Sequence, residues 1–230
     1  MLDPEFDSPL FLKLICRALR ESKLHELPSD LVGMSAIFKF VLDEANKRLA
    51  EKLDYAPSDQ LVRKAVHRIA ELMAESSSEF LPLDVAKREL NLIHPAEGYS
   101  RSLLRHLIAE HVLIQAPGMR GTDEELVHFT YQRLSDHLIV ESILARTPKN
   151  GLRKHFDRQG VFGRRMGDGT WFYGIAGWLE ALAVQLPETH KWEIDQVLPD
   201  SWDCRSITTP RSSCRHTNQH GRKRRRLSRR

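Results

Sequence analysis

A succession of amphipathic helical patterns, interrupted once by a strand-like alternation, most constrains the fold of this chain. Apolar residues recur at three- and four-residue spacing in six segments, which Pro, Gly and Ser clusters separate. Between the fifth and sixth segments, apolar and polar residues alternate, which predicts two short strands. We therefore expect a mainly α protein with a β-hairpin, its helices at about 10–19, 34–53, 59–76, 81–92, 100–110 and 132–145 and its strands at 112–114 and 127–131.

The order of these elements suggests domains. Three helices followed by a two-stranded hairpin within about 75 residues is typical of a winged-helix domain, in which the hairpin is the wing. We predict a helical domain at 1–57, a winged-helix domain at 58–146, and an irregular, aromatic-rich and helical segment at 147–203. A helix is expected at 175–186, ended by Pro187, and Ser8 and Ser58 are expected to cap the first and third helices.

Charge is distributed unevenly along the 230 residues. The net charge of +4 combines ten Lys/Arg and no Asp/Glu from Cys204 onward with 25 basic and 31 acidic residues before it. The last 27 residues contain only four apolar side chains, so we predict a disordered basic tail at 204–230. Such a tail suits nucleic acid or an acidic surface. A frameshifted, non-native terminus would also lack acidic and apolar residues, and we favour that interpretation.

Several protein classes do not fit the sequence. The sequence contains no run of 18 or more apolar residues, so no membrane-spanning helix is predicted. Its first residues also lack the pattern of a signal peptide. The three cysteines, Cys16, Cys204 and Cys214, are not a disulfide framework, so a cytoplasmic location is expected.

No independent catalytic or metal site is predicted. The glycines at 160–169 are not followed by the Lys-Ser/Thr pair of a phosphate-binding loop. His106 and Glu110 are spaced i, i+4, but no complete zinc pattern surrounds them. Asp136 and His137 are adjacent in a helix and point about 100° apart, so we expect a polar-face or inter-domain role rather than an acid–base dyad.

The residues themselves leave two functions open. If the winged helix binds DNA, the helix at 100–110 is its recognition helix, and Ser100, Arg101 and Arg105 contact phosphates or base edges. The acidic residues at 123–125, in the wing loop, oppose DNA binding. The other alternative is a helical protein-interaction module.

Three stretches together resemble STAND-type NTPases, the NACHT and NB-ARC-like signalling ATPases. These are residues 7–14 (DSPLFLKL), 99–105 (YSRSLLR) and 129–138 (FTYQRLSDHL). The segment at 178–187 is also similar to the piece that follows the winged helix in the AVAST-like antiphage ATPases of bacteria. The resemblance extends over about residues 6–199 and rests on the order and spacing of these motifs.

The resemblance implies that the chain is a fragment with a regulatory role. It contains the lid-like helical domain and the winged-helix domain but lacks the core that holds the P-loop lysine and the Mg²⁺-binding acidic residues. The parent protein would be an ATPase that binds ATP or ADP with Mg²⁺, whereas this chain would have no cofactor of its own. Its partners would be the missing nucleotide-binding core or a sister chain, within an oligomer and without a membrane.

The resemblance also implies three nucleotide-adjacent residues. Pro9 matches the proline that lies near the adenine. Tyr131 matches a winged-helix position at which relatives often have a histidine that contacts the ADP phosphate, and His137 is the other residue considered for that role. A phenol donates a hydrogen bond to phosphate but has no positive charge at pH 7.

Overall fold

The computed structural model describes residues 9–26, 28, 33–118, 124–166 and 175–198, and all of them belong to one compact unit. The predicted tail at 204–230, with Cys204 and Cys214, lies outside the described residues, as do Ser8 and Asp123. The described part is mainly α-helical with one small sheet, which confirms the predicted fold class at that level. The predicted boundary at residue 57 stays a prediction.

Helical periodicity places most of the helices correctly. The third helix illustrates the reason, since Val62, Val66, Ile69 and Met73 form one fully buried stripe. The helices are α1 (Pro9–Glu21), α2 (Met34–Leu53), α3 (Leu61–Ser76), α4 (Leu83–Ile93), α5 (Leu103–Ala109), α6 (Gln132–Arg146), α7 (Val161–Met166) and α8 (Ala176–His190).

The start of α3 differs from the prediction. Residues Pro57–Asp59 form a 3-10 turn, Gln60 adopts a left-handed conformation with φ 52°, and Ser58 does not cap the helix. The buried side chain of Asn46 in α2 replaces the local cap: its Oδ1 accepts a hydrogen bond from the backbone N–H of Val62 at 3.2 Å. Its Nδ2 donates to the carbonyl oxygen of Pro57 at 2.8 Å. An amide from another helix thus satisfies a backbone donor that the helix itself cannot satisfy.

Within the described ranges the sheet has three strands rather than the expected two. The strands are β1 (Leu81–Pro82), β2 (Leu113–Pro117) and β3 (Glu125–Phe129), antiparallel in the order β1-β3-β2. The prediction placed residues 81–82 in the fourth helix, which is wrong. Proline favours an extended residue before it, and at the edge of a sheet it loses no ladder hydrogen bond. Pairing with β3 also buries Leu81 against Val127.

The segment before α5 is the next difference. Residues Tyr99–Arg101 form a separate 3-10 turn, and Ser102 is extended, so Ser100 and Arg101 do not belong to the helix as predicted. The Ser100 carbonyl oxygen, which would accept a helical N–H, instead contacts the side chains of Arg105 at 3.3 Å and His106 at 3.0 Å.

The segment after α6 is more regular than predicted. Residues Lys149–Phe156 form 3-10 turns, and α7 follows, while 167–174 lie outside the described residues. Helix α8 continues through Pro187 to His190, so the predicted end at residue 186 is wrong. Pro187 has no N–H to donate to the carbonyl of Ala183, so it removes one backbone hydrogen bond, but it stands in the last turn, where little helix remains to be disrupted.

Helix α6 is the centre of the described fold. It packs against α3 on one side and α8 on another, and it follows β3 directly. Its side chains are buried around most of its circumference, including the polar residues Ser135, Asp136 and His137. A surface helix buries only one stripe, so polar residues that face inward from α6 need specific partners.

Candidate functional site

Tyr131 and His137, two of the three residues that the resemblance assigns to nucleotide, meet around the same side chain of α2. The Phe38 ring lies edge-on to both, with centroid distances of 5.9 Å to Tyr131 and 5.2 Å to His137. Tyr131 precedes the first turn of α6 and is 6% exposed, and His137 is 7% exposed. Both side chains are therefore buried, and the Phe38 ring of α2 contacts each of them.

Burial determines the charge of His137. Removal from water, with a smaller contribution from the nearby His67, lowers the pKa of His137 to about 4. The backbone carbonyl of His137 accepts a hydrogen bond from Nε2 of Gln185 at 2.8 Å, which joins α6 to α8. His137 is uncharged at neutral pH and does not offer a positive charge to a phosphate in this conformation.

Asp136 is the most deeply buried acid in the same region. Only 3% of the residue is exposed, and burial raises its pKa to about 7. Glu79 and Glu180 raise this pKa as well, whereas Arg165 and the Trp178 indole lower it. Asp136 therefore titrates near neutrality, unlike an ordinary surface aspartate.

The Asp136 carboxylate lies against the first turn of α8. A Cβ atom added to Gly177 would stand 2.1 Å from Oδ2 of Asp136, so any larger residue there would force the buried carboxylate to shift. Free N–H groups and the helix dipole favour a carboxylate at a helix N-terminus. Asp136 thus faces α8 while His137 faces Phe38 of α2, and the two side chains contact different elements, as their 100° separation suggests.

A small pocket opens between these three helices. We call it the α2–α6–α8 pocket, and its solvent-accessible volume is about 50 Å³. That volume holds a few water molecules and is far below the size of a nucleotide site. Its lining includes Met34, Phe38, Asp136, His137, Glu180 and Val184.

Pro9 and the residues predicted for DNA contact lie elsewhere. Helix α1 begins at Pro9, whose side chain lies outside the described residues. Ser100, Arg101 and Arg105 are exposed, and the Arg105 guanidinium stands 5.5 Å from the ring centroid of Tyr99. Tyr99 itself is 64% exposed.

An ionic cluster around Glu110 was missed by the sequence analysis. The Glu110 side chain is 2% exposed and follows α5, yet it contacts three cations from α1 and α2. Its oxygens lie 2.6 Å from Arg17 Nη2, 3.0 Å from Arg48 Nε and 2.7 Å from Lys52 Nζ. Glu21 pairs with both arginines, which completes what we call the Glu110 cluster.

Electrostatics keeps Glu110 ionised. Burial alone would raise the pKa of Glu110, but hydrogen bonds and charges from Lys52, Arg48 and Arg17 outweigh it and hold the pKa below its ordinary value. The sequence signal was only the spacing of Arg17, Arg48 and Lys52 on helical faces, and nothing in that spacing names the distant carboxylate. The cluster ties α1 and α2 to the segment between α5 and β2.

The described residues contain no group of three or more His, Cys, Asp or Glu that could hold a metal ion. Within the same ranges, every helix is too short or too polar to cross a membrane. Comparison with known proteins found no matching family model, no matching curated protein and no matching solved structure.

Proposed function

We propose that this chain is the non-catalytic regulatory segment of a cytoplasmic STAND-type signalling ATPase that acts in antiviral defence. Its helical and winged-helix domains form a nucleotide-dependent lid that controls oligomerisation. The parent protein's core binds ATP or ADP with Mg²⁺, and this segment responds to it. The observation that carries the proposal is the contact of both Tyr131 and His137 with Phe38, which fixes the start of α6 to α2.

The order of elements supports the winged-helix part of the proposal. Helices α3, α4 and α5 are followed by the antiparallel pair β2 and β3, as expected of three helices and a wing. The strand β1, between α3 and α4, extends the same sheet.

The packing of α2 supports the lid. Because Tyr131 and His137 are buried and the Phe38 ring of α2 contacts both, contact between these residues and a phosphate would require the packing around the start of α6, including Phe38, to open. The Glu110 cluster joins α1 and α2 to the end of α5. A movement of α2 would therefore either break these ion pairs or carry α1 and the end of α5 along with it. A nucleotide that binds one arrangement more tightly than the other shifts the population toward it.

The sequence of the DNA on either side of this reading frame tests the proposal. A P-loop core encoded directly upstream, in frame or shifted by one frame, is the expected result. A reading frame with its own start at Met1 and no such core nearby would contradict it.

A second candidate, a DNA-binding winged-helix regulator, is favoured by one observation. Ser100, Arg101 and Arg105 are all exposed beside the exposed ring of Tyr99. A mobility-shift assay with residues 1–203, which omits the ten basic residues of the tail, tests it. A shift at low salt that R101A and R105A abolish, and that the control R20A leaves intact, would support DNA binding, and no shift would exclude it.

A further inference from the structure

The α2–α6–α8 pocket combines apolar walls with an acidic floor. Met34 and Phe38 line one side, and Val184, 39% exposed, lines the other. Asp136 also lines the pocket, and its buried Oδ1 accepts no well-formed hydrogen bond from the described residues, although the Trp178 indole lies close enough to stabilise the carboxylate. A buried polar atom without a partner is costly, so a group that donates a hydrogen bond to Oδ1 would be bound favourably.

The charges around the pocket do not cancel. Arg133 and Glu180 pair with each other at 3.6 Å between Nη2 and Oε2. Behind the pocket, Arg165 pairs with Glu79. His137 is neutral at pH 7, so the remaining charge is that of ionised Asp136, which suits a single positive charge.

We infer that the α2–α6–α8 pocket binds a primary ammonium group on a short apolar stem. The ammonium supplies three N–H donors and the missing positive charge. The stem packs between Phe38 and Val184, and a pocket of about 50 Å³ has room for the head and its last methylene groups but not for a ring. Oδ1 is covered by its neighbours, so the carboxylate turns toward the pocket on binding.

Binding is expected to depend on pH. Asp136 attracts the cation only when it is ionised, and its environment of Glu79, Glu180 and Arg165, with neutral His137 beside it, gives it a pKa of about 7. An alkylammonium group keeps its proton at pH 8. Affinity should therefore rise by about thirty-fold between pH 5.5 and pH 8, in proportion to the ionised fraction of Asp136.

The same chemistry has two sources, a free alkylamine or a lysine side chain of another protein. Titration of the ¹⁵N-labelled full chain with n-butylammonium or with the peptide acetyl-Gly-Lys-Gly-amide separates them. A free amine as ligand predicts that only n-butylammonium shifts the amide signals of Asp136, Gly177 and Ala181. A lysine as ligand predicts that the peptide shifts the same signals at equal or lower concentration. Either result supports the inference, which does not require the nucleotide core and so fails independently of the proposed function.

Variants and an uncharged analogue decide the outcome. D136N should abolish binding, and V184W should block the mouth of the pocket while leaving the buried carboxylate and the fold in place. E51Q, which neutralises an exposed carboxylate of α2 outside the pocket, should keep the affinity unchanged. Equal shifts by n-butanol, binding that survives V184W, or equal affinity at pH 5.5 and pH 8 would each overturn the inference, as would the absence of a shift with both probes.

Discussion

At the scale of single residues, Gly177 and Asp136 set the distance between α6 and α8. Glycine in a helix is normally a weakness, because alanine is favoured there by up to about 1 kcal/mol. At this position the order is reversed, since a Cβ atom would overlap Oδ2 of a buried carboxylate.

G177A should therefore lower the free energy of unfolding by about 2 kcal/mol or more, despite the better helix propensity of alanine. Urea denaturation followed by circular dichroism measures the change. The matched control is G151A, because the nearest atom to a Cβ at Gly151 is 3.4 Å away and the effect there should be small. A stabilised G177A protein would show that the contact with Asp136 is not tight.

Asp136 and His137 also make opposite contributions to the pH dependence of stability. In the folded protein the pKa of Asp136 is about 7, above its ordinary value of 3.8. Its contribution to the free energy of unfolding is therefore complete below pH 4 and is lost as pH rises to 7. The folded pKa of His137, about 4, lies below its ordinary 6.5, so its contribution is complete above pH 6.5 and is lost as pH falls to 4. Between pH 4 and 6.5 the two effects oppose each other.

Single variants should separate these contributions. Relative to the wild-type protein, D136N should become more stable as pH rises from 4 to 7, and H137L should become less stable as pH rises from 4 to 6.5. The relative change should be on the order of 2–4 kcal/mol in each case, because one pKa unit corresponds to about 1.4 kcal/mol. Urea denaturation at pH 4.5, 5.5 and 6.5 measures it, and parallel curves for all three proteins would contradict the burial argument.

At the scale of elements, the Glu110 cluster holds α1 and α2 against the end of α5. Three partly exposed cations surround one buried carboxylate, so removing that carboxylate leaves all three with fewer partners. Loss of one member of a buried ion pair typically costs about 3–5 kcal/mol. Because Lys52 is half-exposed, we expect the loss of stability to lie toward the lower end of that range.

E110Q should destabilise the protein by about 2–4 kcal/mol and raise hydrogen exchange in α1 before it does so in α6 and α8. Exchange followed by mass spectrometry reads the two regions separately. E141Q is the matched control, since Glu141 is 44% exposed and stands 3.8 Å from His67. Uniform acceleration in all helices would mean that Glu110 supports global stability alone and does not selectively hold α1.

The connection between α2 and α3 depends on Asn46 in a similar way. Its Nδ2 donates a hydrogen bond to the carbonyl oxygen of Pro57. Its Oδ1 accepts hydrogen bonds from the Val62 N–H and, at 2.9 Å, from the Tyr55 hydroxyl. N46A leaves these buried groups without partners and should cost about 2–3 kcal/mol. Thermal unfolding measures the loss. The control is S58A, at the residue that the sequence predicts as the cap of α3. It should change the thermal unfolding little, because Ser58 does not cap the helix.

At the scale of the whole molecule, a feature could be predicted from the sequence when the residues that determine it are neighbours along the chain, and could not when they are far apart. Helices α2 and α3 follow from the period of their apolar residues, which is a local property. Strand β1 has two residues and therefore no period, and its existence depends on β3 more than forty residues later. The three cations around Glu110 and the contact between Asp136 and Gly177 likewise join distant segments, so no local pattern reveals them. Of the residues proposed for nucleotide, Tyr131 and His137 were named from resemblance, and their meeting at Phe38 depends on how α2 packs.

The contact of Phe38 with Tyr131 and His137 also defines the central claim, that nucleotide in the parent core changes how α2 and α6 meet. The test is hydrogen exchange of the protein encoded by the complete locus, compared with ADP and with a non-hydrolysable ATP analogue. We expect amides at the start of α6 and along α2 to exchange at different rates in the two states, while those of α3 stay the same. Identical exchange throughout these segments with both nucleotides would contradict the account.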